Sequence, residues 1–149
     1  MPTVDDRSAS MGYQLNLAAR LMGQLLASRI AQHGVAPGQF AQLLALYDHD
    51  GQTAAELSAA VAIEPGTMTK TLQRMERDGL IERGTDPHDR RQVRIHLTAR
   101  ARSLEPVMRS VIAEVNALAL HGLSDERKRS LMLTLERVIG NAEASLGRQ

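Results

Sequence analysis

Residues 53–98 read TAAELSAAVAIEPGTMTKTLQRMERDGLIERGTDPHDRRQVRIHLT, and the fold follows from this stretch. Thr53 and Glu56 have the spacing of a capping box, in which each side chain satisfies a backbone N–H at the other's position, and so open a short helix over 53–60. Ile63-Glu64-Pro65-Gly66 is a tight connection, and Pro65 suits a first helical turn. The spacing predicts a second helix over 65–78, stopped by Gly79. The pattern then changes. Leu80–Arg83 is short and strand-like, Thr85–Arg91 has turn chemistry, and Val93, Ile95 and Leu97 alternate with Arg94 and His96 as in a half-buried strand. Two short helices joined by a tight turn and followed by a charged hairpin make a winged helix-turn-helix.

Working outward, Leu15, Ala19, Met22, Leu26 and Ile30 form one stripe of a helix over 12–33, with Leu17, Leu21 and Leu25 as a second row and Gly34 at its end. Pro37 starts a helix over 37–48. Thr98 caps a long helix over 98–121 that contains Pro106, and Ser124 caps a last helix to residue 146. The expected fold is mainly α with a small β-hairpin wing, the winged helix-turn-helix occupying 37–97. The N- and C-terminal helices, 12–33 plus 98–146, form a dimerisation part. Three long amphipathic helices offer more apolar surface than one small reading head covers, and a symmetric dimer hides the surplus. Residues 1–10 are expected to be a flexible polar arm, with no apolar stretch of the kind a signal peptide needs.

With one Phe, two Tyr and no Trp, the core must come from aliphatic side chains and the seven Met. No cysteine is present, so disulfides, thiolate metal sites and thiol redox chemistry are excluded. No apolar run approaches the roughly 18 residues of a membrane span, and a cytoplasmic location is expected. Net charge is only +1, but residues 64–102 carry nine basic side chains against six acidic ones. His49-Asp50 and His88-Asp89 pair a base with a carboxylate, yet both lie in turn-like segments, and no nucleophile elbow, P-loop or dinucleotide fingerprint accompanies them. An enzyme is not expected, nor a cofactor. The five histidines, at 33, 49, 88, 96 and 121, lack the close spacing of a dedicated metal site.

The segment from Phe40 to Pro106 resembles the MarR (multiple antibiotic resistance regulator) family. The resemblance rests on Thr-Ala-Ala-Glu-Leu at 53–57, Gly-Thr-Met-Thr-Lys at 66–70, Met-Glu-Arg-Asp-Gly-Leu-Ile-Glu-Arg at 75–83, Asp-Pro-His-Asp-Arg-Arg at 86–91 and Leu-Thr at 97–98. One departure is Ala36, where relatives tend to carry a Ser or Thr helix cap. The resemblance implies a two-fold dimer, a recognition helix in the major groove and a wing at the adjacent minor groove. It also implies a repressor of an inverted-repeat operator in double-stranded DNA, released by a small aromatic anion. A helix in the major groove faces base edges with its N-terminal residues, which singles out Gly66, Thr67, Thr69, Lys70, Gln73 and Arg74. In the wing, Arg91 and then Arg90 are the expected groove contacts, with Asp89 orienting an arginine. An effector crevice would involve Tyr13, Arg20 and Tyr47, Arg20 serving as counter-charge. The alternatives left open are a metal-responsive regulator and a winged-helix module that binds protein instead of DNA.

Overall fold

The computed structural model describes residues 9–147, so the arm expected at 1–10 lies outside it except for its last two residues. Ser10 caps α1 (Met11–Ile30), accepting from the Tyr13 N–H, and a 3-10 turn over 31–33 ends at Gly34 in the left-handed region, φ +73°. Next come α2 (Pro37–Asp48), β1 (Gln52–Thr53), α3 (Ala54–Val61), α4 (Pro65–Arg77), β2 (Ile81–Thr85), β3 (Val93–Leu97), α5 (Ala99–Ala119) and α6 (Asp125–Ser145). Each expected helix and both expected strands are present, with ends shifted by at most two residues except that α1 stops at Ile30, three short of the expected 33, where a 3-10 turn takes over.

The capping box forms as its spacing requires. Thr53 Oγ1 accepts from the Glu56 N–H at 3.2 Å, and Glu56 Oε2 accepts from the Thr53 N–H at 2.9 Å. Ala36 has no side-chain acceptor, so only the reciprocal half is possible at α2: Gln39 Oε1 accepts from the Ala36 N–H at 3.0 Å. Pro37 adds a pre-set φ at the first helical position, and together these replace the missing Ser or Thr. Thr98 Oγ1 accepts from the Ala101 N–H at 3.1 Å, and α5 runs unbroken through Pro106.

The chain forms two compact bodies, one through Val115 and one from Asn116 onward. In the first, β3 lies between β1 and β2 in an antiparallel sheet, with Ile81 opposite Leu97 and Thr85 opposite Val93. The strand β1, pairing Gln52 with Ile95, was not expected, because two residues carry no readable alternation. Leu43, Leu46, Leu57, Met68, Leu72, Met75, Leu80 and Ile95 are buried in one core with Ile30, Met108 and Val111. The aliphatic and methionine core expected from composition is therefore what fills the reading head. The start and middle of α1 are different: Tyr13, Leu15 and Leu21 are exposed. In the second body, Ser124 caps α6, and no residue of that helix is buried; Leu131, Leu133 and Ile139 are exposed.

Candidate nucleic-acid interface

Met68, Leu72 and Met75 fall at spacings of four and three and are fully or almost fully buried. Anchoring that face of α4 turns Thr67, Thr69, Lys70, Gln73 and Arg74 outward, where all five are exposed. Lys70, Gln73 and Arg74 have no side-chain partner among the described residues. Arg77 and Arg83, by contrast, pair with Asp78 at 3.6 Å and Glu76 at 3.1 Å. Thr69 donates its hydroxyl proton to the Pro65 carbonyl at 3.0 Å, leaving its oxygen lone pairs and methyl group facing out. Thr71 is half-buried and donates to the Thr67 carbonyl at 3.0 Å.

The start of α4 is open. Glu64, the N-cap, makes no side-chain capping bond, and Pro65 has no N–H. The N–H groups of Gly66 and Thr67 therefore have no partner among the described residues, and they sit at the positive end of the helix. A Cβ at Gly66 would meet nothing within 4 Å, so packing inside the chain does not require the glycine. The open space there leaves the backbone accessible to close approach.

The wing is built around Asp86, which sequence reasoning placed only in a turn. Its carboxylate is buried, accepting from the His88 N–H at 2.8 Å and from Arg94 Nε at 2.7 Å. These bonds, the backbone one first, hold the Asp86 carboxyl below the usual carboxylate range. Arg94 also donates to the Gly51 carbonyl at 2.9 Å and lies 3.7 Å from Glu56, so one guanidinium joins the wing to the turn before α3 and to the capping box. Asp86, in turn, pushes the Arg94 guanidinium further up.

Asp89 behaves differently from expectation. Its Oδ1 accepts from the Arg91 backbone N–H at 3.0 Å, and its carbonyl accepts from the Gln92 N–H at 3.0 Å. It makes no ion pair with a guanidinium among the described residues, because 86–92 is a loop in which the two-residue alternation of a strand does not hold. Asp89 shapes the tip. Arg90 and Arg91 are exposed there, and neither guanidinium has a partner among the described residues. A local Asx-type turn was the signal available in Asp86-Pro-His-Asp89.

The three effector candidates are not joined by any hydrogen bond or ion pair among the described residues. Tyr13 and Arg20 are exposed on α1, Arg20 without an ion pair among the described residues. Tyr47 is half-buried; its hydroxyl donates to the Ala101 carbonyl at 2.7 Å, and the Arg109 guanidinium lies 5.9 Å from its ring centroid. Burial, then the nearby Glu105 charge, pushes the Tyr47 phenol up to about 12. Among the described residues no three His, Cys, Asp or Glu side chains are grouped to hold a metal ion, and no helix is long and apolar enough to cross a membrane.

An α3–turn–α4 unit with its outward edge unpartnered, followed by a hairpin with two free arginines, defines a winged helix-turn-helix protein. A family model described as the MarR family matches residues 33–92. The chain is 29% identical over 130 residues to the HTH-type transcriptional regulator TtmR of Methylorubrum extorquens (strain PA1), a match covering 87% of this chain and 66% of that relative's length. The crystal structure of a MarR transcriptional regulator from Methanosarcina mazei Go1 superimposes with a TM-score of 0.82 at 28% identity, over 89% of this chain and 95% of that one. The transcriptional repressor CouR, bound to a 23-mer DNA duplex, shares the fold with a TM-score of 0.78 at 24% identity, over 94% and 99% of the two chains. Residues 33–92 thus match the MarR family model, and the relatives named are described as transcriptional regulators or a repressor.

Proposed function

We propose that the chain is a cytoplasmic repressor that binds an inverted-repeat operator as a homodimer. In this reading residues 37–97 are the reading head, and 12–33 with 98–146 form the dimerisation part. The observation that carries it is the set of unpartnered groups on one reading head: the Gly66 and Thr67 N–H groups, Lys70 and Arg74 on α4, and Arg90 and Arg91 on the wing. Lys70 and Thr67 read base edges, Thr69 offers its methyl to a thymine, Gln73 and Arg74 hold the backbone, and the helix start takes a phosphate. Arg91, then Arg90, enters the minor groove, with Asp89 holding the loop that presents them. That CouR was solved on a DNA duplex supports this use of the shared fold.

The exposed apolar side chains of α1 and α6 support a dimer, because left uncovered they are an association hazard. Two-fold symmetry then sets the recognition helices roughly 34 Å apart, one helical turn of DNA. A small aromatic carboxylate releases the operator, its charge met by Arg20, its ring by Tyr13 and Tyr47. Selection of bound sequences from random DNA at two salt concentrations tests the whole reading. It is expected to return an inverted repeat whose affinity falls steeply with salt. Recovery of unenriched sequence at both salts would overturn it.

A further inference from the structure

The two ends of α4 are held very differently. At its start no side chain caps it. At its end, Asp78 and Gly79 are gripped by three side chains, from α2 and from the start of α5. Arg100, on the first turn of α5, donates from Nη1 to the Asp78 carbonyl and from Nη2 to the His33 carbonyl at 3.2 Å. Gln39 of α2 donates to the Asp78 carboxylate at 2.8 Å, and Thr98 donates to the Gly79 carbonyl at 2.7 Å. The carbonyls that Arg100 bridges close the α1 turn and α4, and a guanidinium at two helix C-termini neutralises two negative dipole ends at once. Both ends turn through a glycine at φ +73°, Gly34 and Gly79. A Cβ on Gly34 would stand 2.5 Å from Arg100 Nη2, so the guanidinium occupies the space a side chain there would need.

We infer that Arg100 is a positioning residue for sequence reading: it fixes the direction of α4 against the end of α1, without itself touching DNA. A helix of 13 residues is about 20 Å long, so a rotation of about 10° at this joint moves the reading edge by about 3 Å, close to the rise of one base pair. Both terminal nitrogens of Arg100 are bonded to carbonyls inside the chain, which separates its role from that of Arg90 and Arg91, whose guanidinium groups have no partner among the described residues. The inference rests on the DNA-binding reading above for its functional meaning; the joint itself does not.

The test compares the full-length wild type with Arg100→Lys, Arg100→Gln, Gly34→Ala and the Arg100→Gln/Gly34→Ala double variant. Affinity is measured for the duplex selected above and for an unrelated duplex at two salt concentrations, with hydrogen exchange on the free proteins. Arg100→Gln is expected to weaken the selected duplex by about tenfold, the effect of misreading about one base pair, while affinity for the unrelated duplex and the salt slope stay at wild-type values. Arg100→Lys recovers part of the loss. Gly34→Ala weakens specific binding in the wild-type background by displacing Arg100, and adds little when Arg100 is already replaced, a non-additivity that backbone strain alone does not produce. Exchange rises in 33–36 and 77–80 together. A salt slope lowered by about one per copy would make Arg100 a phosphate contact and overturn the inference. Additive effects, or unchanged discrimination in Arg100→Gln, would overturn it as well. If the wild type discriminates no duplex, the DNA reading fails instead, and the joint stands or falls on whether exchange rises in both segments or in one.

Discussion

The Asp86 carboxylate and the Arg94 guanidinium meet at 2.7 Å, and the same guanidinium reaches the Gly51 carbonyl at 2.9 Å. The wing root is thereby tied to the turn that introduces α3. Asp86→Ala is expected to leave the helical core intact by far-UV circular dichroism while freeing residues 86–92, seen as faster amide exchange at His88 and Gln92. Affinity for the selected duplex falls by about tenfold or more, as the arginines lose their fixed placement.

The same ion pair sets a pH dependence. The folded Asp86 carboxyl lies below its ordinary value, so its contribution is fully present above the unfolded pKa of about 4 and is lost as pH falls through the lower folded value. Protection of the His88 amide is expected to hold at pH 5 and to collapse under more acidic conditions, and in Asp86→Asn to be low and independent of pH across that range.

Arg91→Ala and Arg90→Ala remove free cations and no internal partner. Taking away one phosphate interaction lowers the slope of log affinity against log salt by about 0.9 per copy, and stability stays within about 0.5 kcal/mol of wild type. Fluorescence anisotropy across a salt series, paired with urea denaturation, checks both halves.

Tyr47→Phe deletes the hydroxyl that donates to the Ala101 carbonyl, leaving a half-buried acceptor with one partner fewer. A loss of about 1 kcal/mol in urea denaturation is expected. Because the folded phenol titrates near 12, above its ordinary 10, its contribution is complete below pH 10 and declines as pH rises through the folded value. The wild type should therefore lose stability over that alkaline range more steeply than the Phe variant.

Gln42 is fully buried in α2, and neither its Nε2 nor its Oε1 has a hydrogen-bond partner among the described residues. Leaving a buried amide unsatisfied costs about 1–3 kcal/mol, so Gln42→Met, similar in length and apolar, is expected to raise stability by about 1 kcal/mol. A lowered melting temperature would show that the amide has a role in this core.

What was legible in the sequence is local. Thr53 and Glu56 sit three apart, Gly79 follows the last helical turn, and Val93, Ile95 and Leu97 alternate, so the elements of the reading head and its exposed edge could be read from short windows. Pairings between distant residues were not legible. The pairing of Gln52 with Ile95 that makes β1, the grip of Arg100 on His33 and Asp78, and the reach of Arg94 to Gly51 depend on tertiary placement that no spacing encodes. The bond of Asp89 to the Arg91 N–H, in place of the expected guanidinium, belongs to a local turn that the charge pattern does not distinguish from an ion pair. Tyr13 and Arg20 lie on α1 and Tyr47 on α2, and their spacing in sequence carries no record of tertiary contact.

The central claim is that two copies present the exposed edge of α4 and the arginines of the wing to one face of a single duplex. Ethylation interference on the selected duplex, run with wild type and Arg91→Ala, tests it most directly. Two symmetric clusters of phosphates whose centres lie about one helical turn apart are expected, with flanking minor-groove phosphates that lose their effect in the variant. One unpaired cluster, or a pattern that Arg91→Ala leaves unchanged, would contradict the account.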